Sequence, residues 1–199
     1  TARNGATTYS VGANLATYVG SLFIDGTAGQ VTCHRAWGQS RKWGVWNAYN
    51  RQPLYLKAGD STASWAYTTN TIRASNAASA NSLTVFQGLA EEWLDLNFIQ
   101  KVTALGNGAG AAVDVSGRNS IGWNSTTAAS GQIGTVGNVS ADFAQDTTVH
   151  GNAVASFLQV PALGINVVTA QETAPTTTNG TVTWFGGEDD MVLAAKWRG

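Results

Sequence analysis

Apolar and polar residues alternate along much of this chain, and that alternation most constrains the fold. Between Asp95 and Ala104 the side chains of Leu96, Phe98 and Gln100 fall on one face of an extended segment, and the residues between them fall on the other. A spacing of two is that of a half-buried β-strand, whereas a helix repeats about every 3.6 residues. About ten to twelve such runs recur, at roughly ten-residue spacing, between turns rich in Gly, Asn and Asp. The predicted fold class is therefore all-β, an antiparallel β-sandwich of jelly-roll-like form.

The composition agrees with this prediction. Charged residues make up 12% of the chain, which is about half of the usual quarter, and Thr, Ser, Asn and Gly replace them. Strands joined by polar turns are typical of this balance, and amphipathic helices are not. All-β sandwiches often reach 199 residues without splitting, so we predict a single β-sandwich domain over residues 1–199.

Charge and hydropathy argue against two classes of partner. The net charge is −1, so the chain has no excess of Lys and Arg with which to release counterions from nucleic acid. The longest apolar stretches, near Leu15–Ile24 and Ala153–Val168, are broken by polar residues or by Pro161 and Gly164. Neither reaches the roughly 20 apolar residues of a membrane span. We therefore expect no nucleic-acid partner and no membrane insertion.

The usual nucleophiles and bases do not form a catalytic pattern. Cys33 is the only cysteine, so no intrachain disulfide is predicted, and its thiol is expected to be a small buried apolar group. His34 follows it directly, which places the two side chains on opposite faces of a strand. His150 is the only other histidine, and the sequence contains no Gly-x-Ser-x-Gly elbow. Acyl-transfer chemistry is therefore not expected, and both histidines are interpreted as ordinary hydrogen-bonded side chains.

Glycoside hydrolysis is harder to exclude, because it needs only two carboxyl groups about 5 to 10 Å apart. The available carboxylates are Asp25, Asp60, Asp114, Asp142, Asp146 and the Glu91/Glu92 pair. Most carboxylates in polar turns are solvated, so the prediction is that the protein is not an enzyme. No metal and no organic cofactor are predicted, with calcium at Glu188–Asp190 as the one plausible exception.

Four segments have less regular patterns. Leu89–Leu96 fits either a helix of one or two turns or a charged turn between strands. Ser125–Ser140 is rich in Thr, Ser and Gly and is predicted to be an exposed loop that carries one short strand. Gly106–Gly108 and Gly186–Asp190 are each predicted to close a hairpin.

Aromatic residues concentrate in the run Trp37–Arg51, which holds three of the eight tryptophans. Such a run either anchors a core or presents a recognition surface, and the first is commoner because buried rings dominate core energetics. We expect Trp46 to pack between the sheets, with Arg51 or Asn47 bonded to backbone carbonyls or to a carboxylate. The predicted structural brace for the nearby loops comprises Trp43, Trp46, Asn47, Tyr49, Asn50 and Arg51.

Five stretches of the sequence carry a resemblance to a known group of proteins. They are Arg41–Arg51, Ser64–Tyr67, Thr71–Ala74, Asn81–Glu92 and Met191–Gly199. In order and character they are similar to stretches in structural proteins of tailed bacteriophages, in globular regions of the tail-fibre, spike or capsid-decoration type. The aromatic-Asn-x-Tyr-Asn-Arg pattern that ends the first stretch is the most specific of them.

This resemblance implies a structural, non-enzymatic bacteriophage virion protein that is assembled in the host cytoplasm and exposed on the particle surface, where it contributes to host attachment. It also implies that residues 1–199 are the C-terminal part of a longer fibre or spike chain. A domain on a fibre or spike normally follows the threefold symmetry of its stalk, so we expect a homotrimer in contact with other virion proteins. The predicted trimer contact is on the C-terminal strand, at Met191, Leu193 and Trp197.

Carbohydrate binding is the alternative function, either alone or within a polysaccharide-depolymerising tailspike domain. Sugar sites stack an exposed aromatic ring on the sugar while Asn, Asp or Arg side chains bond its hydroxyls. A host surface glycan would be the ligand, and a cellular adhesin module is a third interpretation. The candidate glycan contacts are Arg35, Trp37, Trp123 and Asn124.

Overall fold

The computed structural model describes residues 2–3, 6–7, 18–24, 26, 31–106, 113–140, 147–174 and 180–199. These residues form sixteen strands and one 3₁₀ turn at Ser75–Ala77, and none of them lies in an α-helix. The all-β prediction is confirmed. The strands are β1 (Ala2–Arg3), β2 (Ala6–Thr7), β3 (Gly20–Leu22), β4 (Arg41–Trp43), β5 (Val45–Asn47), β6 (Pro53–Ala58), β7 (Ser64–Ala66), β8 (Arg73–Ala74), β9 (Ser82–Gln87), β10 (Leu94–Gly106), β11 (Val113–Trp123), β12 (Ser130–Ser140), β13 (Thr147–Gln159), β14 (Gly164–Thr173), β15 (Gly180–Phe185) and β16 (Met191–Arg198).

Twelve of these strands belong to one large sheet that folds over into two layers. The first layer runs β4, β9, β14, β11 and β12, with β8 paired to β14. The second runs β13 and β10, followed by β15 with β7 and by β16 with β6. The layers join where Gln132 of β12 pairs with Ser156 of β13. The fold is a jelly-roll-like sandwich, and the pairings among these strands are antiparallel except for the parallel pair β4 and β9.

Alternate residues of the long strands fill the space between the layers. On β10 the side chains of Leu96, Phe98 and Gln100 are buried, and the intervening Asn97 and Ile99 are exposed. The alternation predicted for this strand is confirmed. Burial of apolar surface contributes about 25 cal/mol per Å² to stability, so this space supplies the main driving force for folding. The main core cluster comprises Leu54, Leu56, Ala58, Leu83, Val85, Leu94, Leu96, Phe98, Ile121, Ala155, Val168, Ala170, Met191, Leu193, Ala195 and Trp197. A smaller cluster comprises Val102, Ala104, Val115, Val136, Ala153, Ala174, Val182 and Trp184.

Strands β15 and β16 do not form the hairpin predicted around Gly186–Asp190. Both pair with β10 along the same edge, β15 opposite Val102–Gly106 and β16 opposite Asp95–Gln100. Between those two segments, Lys101 donates its backbone N–H to the carbonyl of Asp190 at 2.8 Å, and its Nζ lies 3.2 Å from the Asp190 carboxylate. Gly186–Asp190 is therefore a connecting segment between β15 and β16, which lie end to end along β10.

Four other local predictions have different outcomes. Leu89–Leu96 forms a turn followed by the start of β10, so the turn interpretation is correct and the helix is wrong. Ser125–Ser140 is not mainly a loop, because Ser130–Ser140 is an eleven-residue strand. Cys33 is exposed and not buried. Gly106–Gly108 does not close a hairpin between paired strands, since β10 and β11 lie in different layers; the segment between them falls outside the described residues.

Of the trimer contact predicted at Met191, Leu193 and Trp197, the parts at Met191 and Leu193 are wrong for this fold. The three side chains alternate along β16 on its inward face, and each is at most 5% exposed. Met191 and Leu193 are core residues of their own subunit, so a neighbouring subunit cannot contact them without opening the sandwich. Trp197 also lines a surface groove with Leu54 and Lys196. The exposed side chains of β16 are those of Lys196 and Arg198.

Candidate functional site

Trp46 is the most deeply buried ring of the aromatic run, at 1% exposed, and its burial is as predicted. It lies on β5, and its ring stacks on that of Tyr18 with 5.8 Å between centroids. Gly88 permits the close approach, because a Cβ added there would lie 2.6 Å from the Trp46 ring. Trp46 belongs to neither core cluster. The ring packs against Tyr18 and Gly88 instead. The prediction that Trp46 lies between the sheets of the sandwich is therefore wrong.

Arg51 fastens the end of the aromatic run to the turn that precedes β10. Its Nη1 lies 2.8 Å from a carboxylate oxygen of Glu92, and its Nη2 lies 2.7 Å from one of Glu91. The guanidinium is also 4.9 Å from the centre of the Trp46 ring. Hydrogen bonds to Glu91 and Glu92 raise the pKa of Arg51. The prediction that Arg51 binds a carboxylate is confirmed, and we call this group of three charged residues the Arg51 clamp.

The other predicted brace residues have smaller roles. Asn47 accepts the backbone N–H groups of Tyr49 and Asn50 at 2.9 and 3.1 Å, so it stabilises a turn. The side chains of Tyr49 and Asn50 are exposed, and Asn50 accepts a hydrogen bond from the Gln52 amide. Trp43 is half-buried against the main core. The brace thus depends mainly on Trp46 and the Arg51 clamp.

A second polar cluster surrounds Asp60, which is buried just after β6. Its Oδ2 accepts the side-chain amides of Asn81 at 2.8 Å, Asn76 at 3.1 Å and Gln39 at 3.1 Å. Its Oδ1 accepts the backbone N–H of Thr62 at 2.9 Å. Burial alone would raise the pKa of Asp60, but the hydrogen bonds outweigh it and lower the pKa. Neutral donors therefore hold this carboxylate in its charged form.

Glu172, on β14, is the centre of an adjoining cluster and is fully buried. Its carboxylate accepts the indole N–H of Trp65 at 2.7 Å and pairs with Arg73 at 2.7 Å. Arg73 in turn lies 3.6 Å above the ring of Tyr67. Burial raises the pKa of Glu172, and the donors offset that effect only in part. The backbone N–H of Asn76 also reaches Glu172, at 3.2 Å, so the two clusters meet at Asn76.

The contacts described above give a structural role to four acidic residues, which are Asp60, Glu91, Glu92 and Glu172. Asp60 and Glu172 are buried and held by donors, so they tie the segment between β6 and β9 to β14. Glu91 and Glu92 belong to the Arg51 clamp. Of the carboxylates considered for glycoside hydrolysis, those without a described side chain are Asp25, Asp114, Asp142 and Asp146.

Other expected functional groups are also placed. His150 Nδ1 lies 2.8 Å from the hydroxyl of Thr103, so this histidine is an ordinary hydrogen-bonded side chain, as predicted. Within the described ranges, no three His, Cys, Asp or Glu side chains lie close enough together to hold a metal ion. The described ranges also contain no helix that is long and apolar enough to cross a bilayer.

Two of the candidate glycan contacts take part in internal packing. Trp37 donates its indole N–H to the carbonyl of Met191 at 2.8 Å, which directs the polar edge of the ring inward. The guanidinium of Arg35 lies 5.7 Å from the centre of the Trp43 ring. Trp37 is half-buried, and Arg35 is exposed.

Asn124 is the one candidate glycan contact that lines a described groove, which has a volume of about 480 Å³. The preceding Trp123 is half-buried and packs edge-on against Phe157 at 6.3 Å and against the main core. The other residues lining this groove are Ser125, Thr126, Thr127, Val167 and Thr169. A smaller depression of about 240 Å³ shares Thr126 and Thr127 with it and is also lined by Arg73, Ala74, Ala77 and Ser79.

Sequence reasoning missed Gln171 and Glu172, two consecutive buried residues at the end of β14. The available signal was a pair of polar residues that ends a strand rich in Val, Ile and Ala. Their partners lie 43 to 107 residues away in the chain, so the pattern alone could not identify them. Comparison of the chain with models of known protein families and with curated proteins finds no match.

Proposed function

We propose that this chain is a structural, non-enzymatic component of a bacteriophage virion, displayed on the particle surface as part of a tail fibre, a spike or a head decoration and contributing to host attachment. The support is the resemblance of five stretches to tailed-phage structural proteins, together with the way in which those stretches contact the rest of the fold. A displayed domain of this kind needs a rigid framework, and residues of those stretches supply one here.

The Arg51 clamp carries the proposal. It joins the end of Arg41–Arg51, the most specific of the resembling stretches, to the end of Asn81–Glu92 through two ion pairs at 2.7 and 2.8 Å. The same first stretch contains Trp46, whose ring lies beneath the guanidinium. In two other stretches, Trp65 and Arg73 both bond the buried Glu172. The side chains that carry the resemblance therefore hold loops in place.

The proposal includes a homotrimer, because a domain on a fibre or spike follows the symmetry of its stalk. The trimer contact falls to outward-facing side chains, since the inward residues of β16 are core residues. Ile99 on β10 and Val154 on β13 are register partners and are 43% and 45% exposed. We propose that this aliphatic pair lies against a neighbouring subunit, where its burial would remove apolar surface from water.

Labelling of intact particles tests the virion assignment. Antibodies raised against the purified chain are expected to label tailed particles from a lysate that expresses this gene, at a fixed place on each particle seen by immunogold electron microscopy. Preincubation of the antibody with the purified chain is the control and should abolish the label. Absence of label on particles, with the chain recovered only in the soluble fraction, would refute the assignment.

A further inference from the structure

We propose that the groove beside Asn124 binds a neutral saccharide through the loop of residues 124–128. The inference goes beyond the structural role proposed above and does not depend on it. It rests on three observations. The loop is held rigidly; the Nδ2 of Asn124 and the hydroxyls of Thr126 and Thr127 have no hydrogen-bond partner among the described residues; and the one charged residue described beside the groove is already paired.

The start of the loop is fastened to β14 at Asn124. Its backbone N–H donates to the carbonyl of Val167, and its Oδ1 accepts the backbone N–H of Val167, both at 2.7 Å. Asn124 has a φ of 50°, a left-handed conformation that Asn tolerates better than most residues. These two bonds fix the direction in which the loop leaves β11.

The buried side chain of Gln171 fixes the rest of the loop. Its Nε2 donates to the carbonyls of Ser125 and Ala128 at 3.2 and 3.1 Å, and its Oε1 accepts the hydroxyl of Ser120 at 3.0 Å. Within the loop, the Ser125 hydroxyl accepts the backbone N–H groups of Thr127 and Ala128. A loop held in this way loses little conformational entropy when a ligand binds.

The side chains that this frame presents retain free hydrogen-bonding capacity. Asn124, Thr126 and Thr127 are exposed, and among the described residues the Nδ2 of Asn124 and both threonine hydroxyls have no hydrogen-bond partner. Val167 adds an apolar patch to the same groove. Hydroxyl and amide groups beside small apolar patches match the alternating hydroxyls and C–H faces of a sugar. The volume of about 480 Å³ lies within the range of ligand pockets, about 300 to 1,000 Å³.

The charges of the residues around the groove favour a neutral ligand. Among the described residues, Arg73 is the only charged one that lines the groove or the adjoining depression, and its Nη2 lies 2.7 Å from the fully buried Glu172. The guanidinium charge is thus balanced from within the fold, and an acidic ligand gains little attraction from it. Ala74 and Ala77 line the same depression and add no charge.

Binding to a glycan microarray with neutral hexose oligosaccharides and uronic-acid or sialylated oligosaccharides tests the proposal. We expect neutral oligosaccharides to bind, and amide shifts of an ¹⁵N-labelled sample titrated with the best of them to concentrate at residues 124–128, 167 and 169. A Thr126→Val/Thr127→Val variant removes both hydroxyls at constant shape and should weaken binding at least tenfold, which corresponds to about 1.4 kcal/mol.

Thr135→Val is the matched control, because Thr135 is exposed on β12 and does not line the groove. It should bind as the unmodified protein does, and both variants should unfold at the unmodified protein's temperature. Three results would overturn the proposal: no saccharide binding, binding of acidic saccharides alone, or equal binding by the double variant and the unmodified protein.

Discussion

Asp60 and Glu172 are held by opposite ends of one residue. The side-chain amide of Asn76 donates to Asp60 at 3.1 Å, and its backbone N–H donates to Glu172 at 3.2 Å. The pKa values of the two carboxyl groups nevertheless move in opposite directions. At Glu172 the cost of burial exceeds the contribution of its donors, whereas at Asp60 the hydrogen bonds exceed the cost of burial. The contributions of Asp60 and Glu172 to the free energy of unfolding should therefore depend on pH with opposite sign.

Asp60→Asn is expected to destabilise the protein at neutral pH, and the difference should shrink in acid. Folding lowers the pKa of Asp60 from its usual 3.8, so its ionised form stabilises the folded state above that value, and the contribution disappears as pH falls through the folded pKa. At neutral pH we expect a loss of about 1 to 3 kcal/mol, because buried donors lose their charged acceptor. Urea unfolding between about pH 3 and 7 measures the difference. A difference that grows towards low pH would contradict this account.

Glu172→Gln should show the reverse trend. Folding raises the pKa of Glu172 above its usual 4.5, so the stability that this group contributes is present below that value and is lost as pH rises through the folded pKa. The unmodified protein should therefore lose stability relative to the variant as pH rises from about 4 towards 7. The same unfolding series measures it, with Glu188→Gln as the control for loss of an exposed carboxylate. An opposite slope would mean that burial does not dominate at Glu172.

Arg51→Ala is expected to cost about 1 to 2 kcal/mol, from two partly exposed ion pairs and one cation–π contact. Arg51→Lys should recover only part of the loss, because an ammonium group cannot present the guanidinium's fork to both carboxylates. Chemical unfolding measures both values. Arg198→Ala, at an exposed position on β16, is the control and should stay within about 0.5 kcal/mol. If Arg51→Ala also lowers the free energy of unfolding by no more than about 0.5 kcal/mol, the Arg51 clamp does not stabilise the fold as proposed.

The homotrimer predicts a solution mass three times that of the chain, measured by light scattering after gel filtration. Ile99→Glu/Val154→Glu should give a folded monomer, because both positions are outward-facing and a buried charge opposes association. Ile165→Glu is the control, since Ile165 is 42% exposed on the other layer, and it should remain trimeric. An unmodified protein that is monomeric at high concentration would eliminate the trimer, and a trimeric double variant would place the contact elsewhere.

The alternation on β10 was readable from the sequence because one face of that strand is buried and the other is exposed. Strand β12 was not readable, because its glycines resemble a loop. Close packing explains them: a Cβ added at Gly134 would overlap the backbone of Val154, and one at Gly137 would overlap the side chain of Ser116. Glycine at these positions lets the neighbouring strands β13 and β11 pack close to β12, and the local β-propensity of the sequence cannot reveal such packing.

The candidate site was predictable only in part. Burial of Trp46 and a carboxylate partner for Arg51 follow from the chemistry of an indole and a guanidinium, but the identity of Glu91 and Glu92 depends on the fold. The groove beside Asn124 depends on Gln171, which lies 43 and 46 residues from the carbonyls that it holds. Such pairings depend on the order of the strands in the sheet, and that order cannot be predicted from any short segment of the sequence.

The central claim is that the aromatic run supports the fold and is not itself a receptor site, and Trp46→Ala tests it most directly. Trp46 is 1% exposed, so we expect its removal to cost about 3 to 5 kcal/mol by urea unfolding, or to prevent folding. Trp93→Ala, at a ring that is 58% exposed, should change stability by no more than about 0.5 kcal/mol. If Trp46→Ala instead folds with unchanged stability while binding to the host surface is lost, the run is the receptor site and the structural account is wrong.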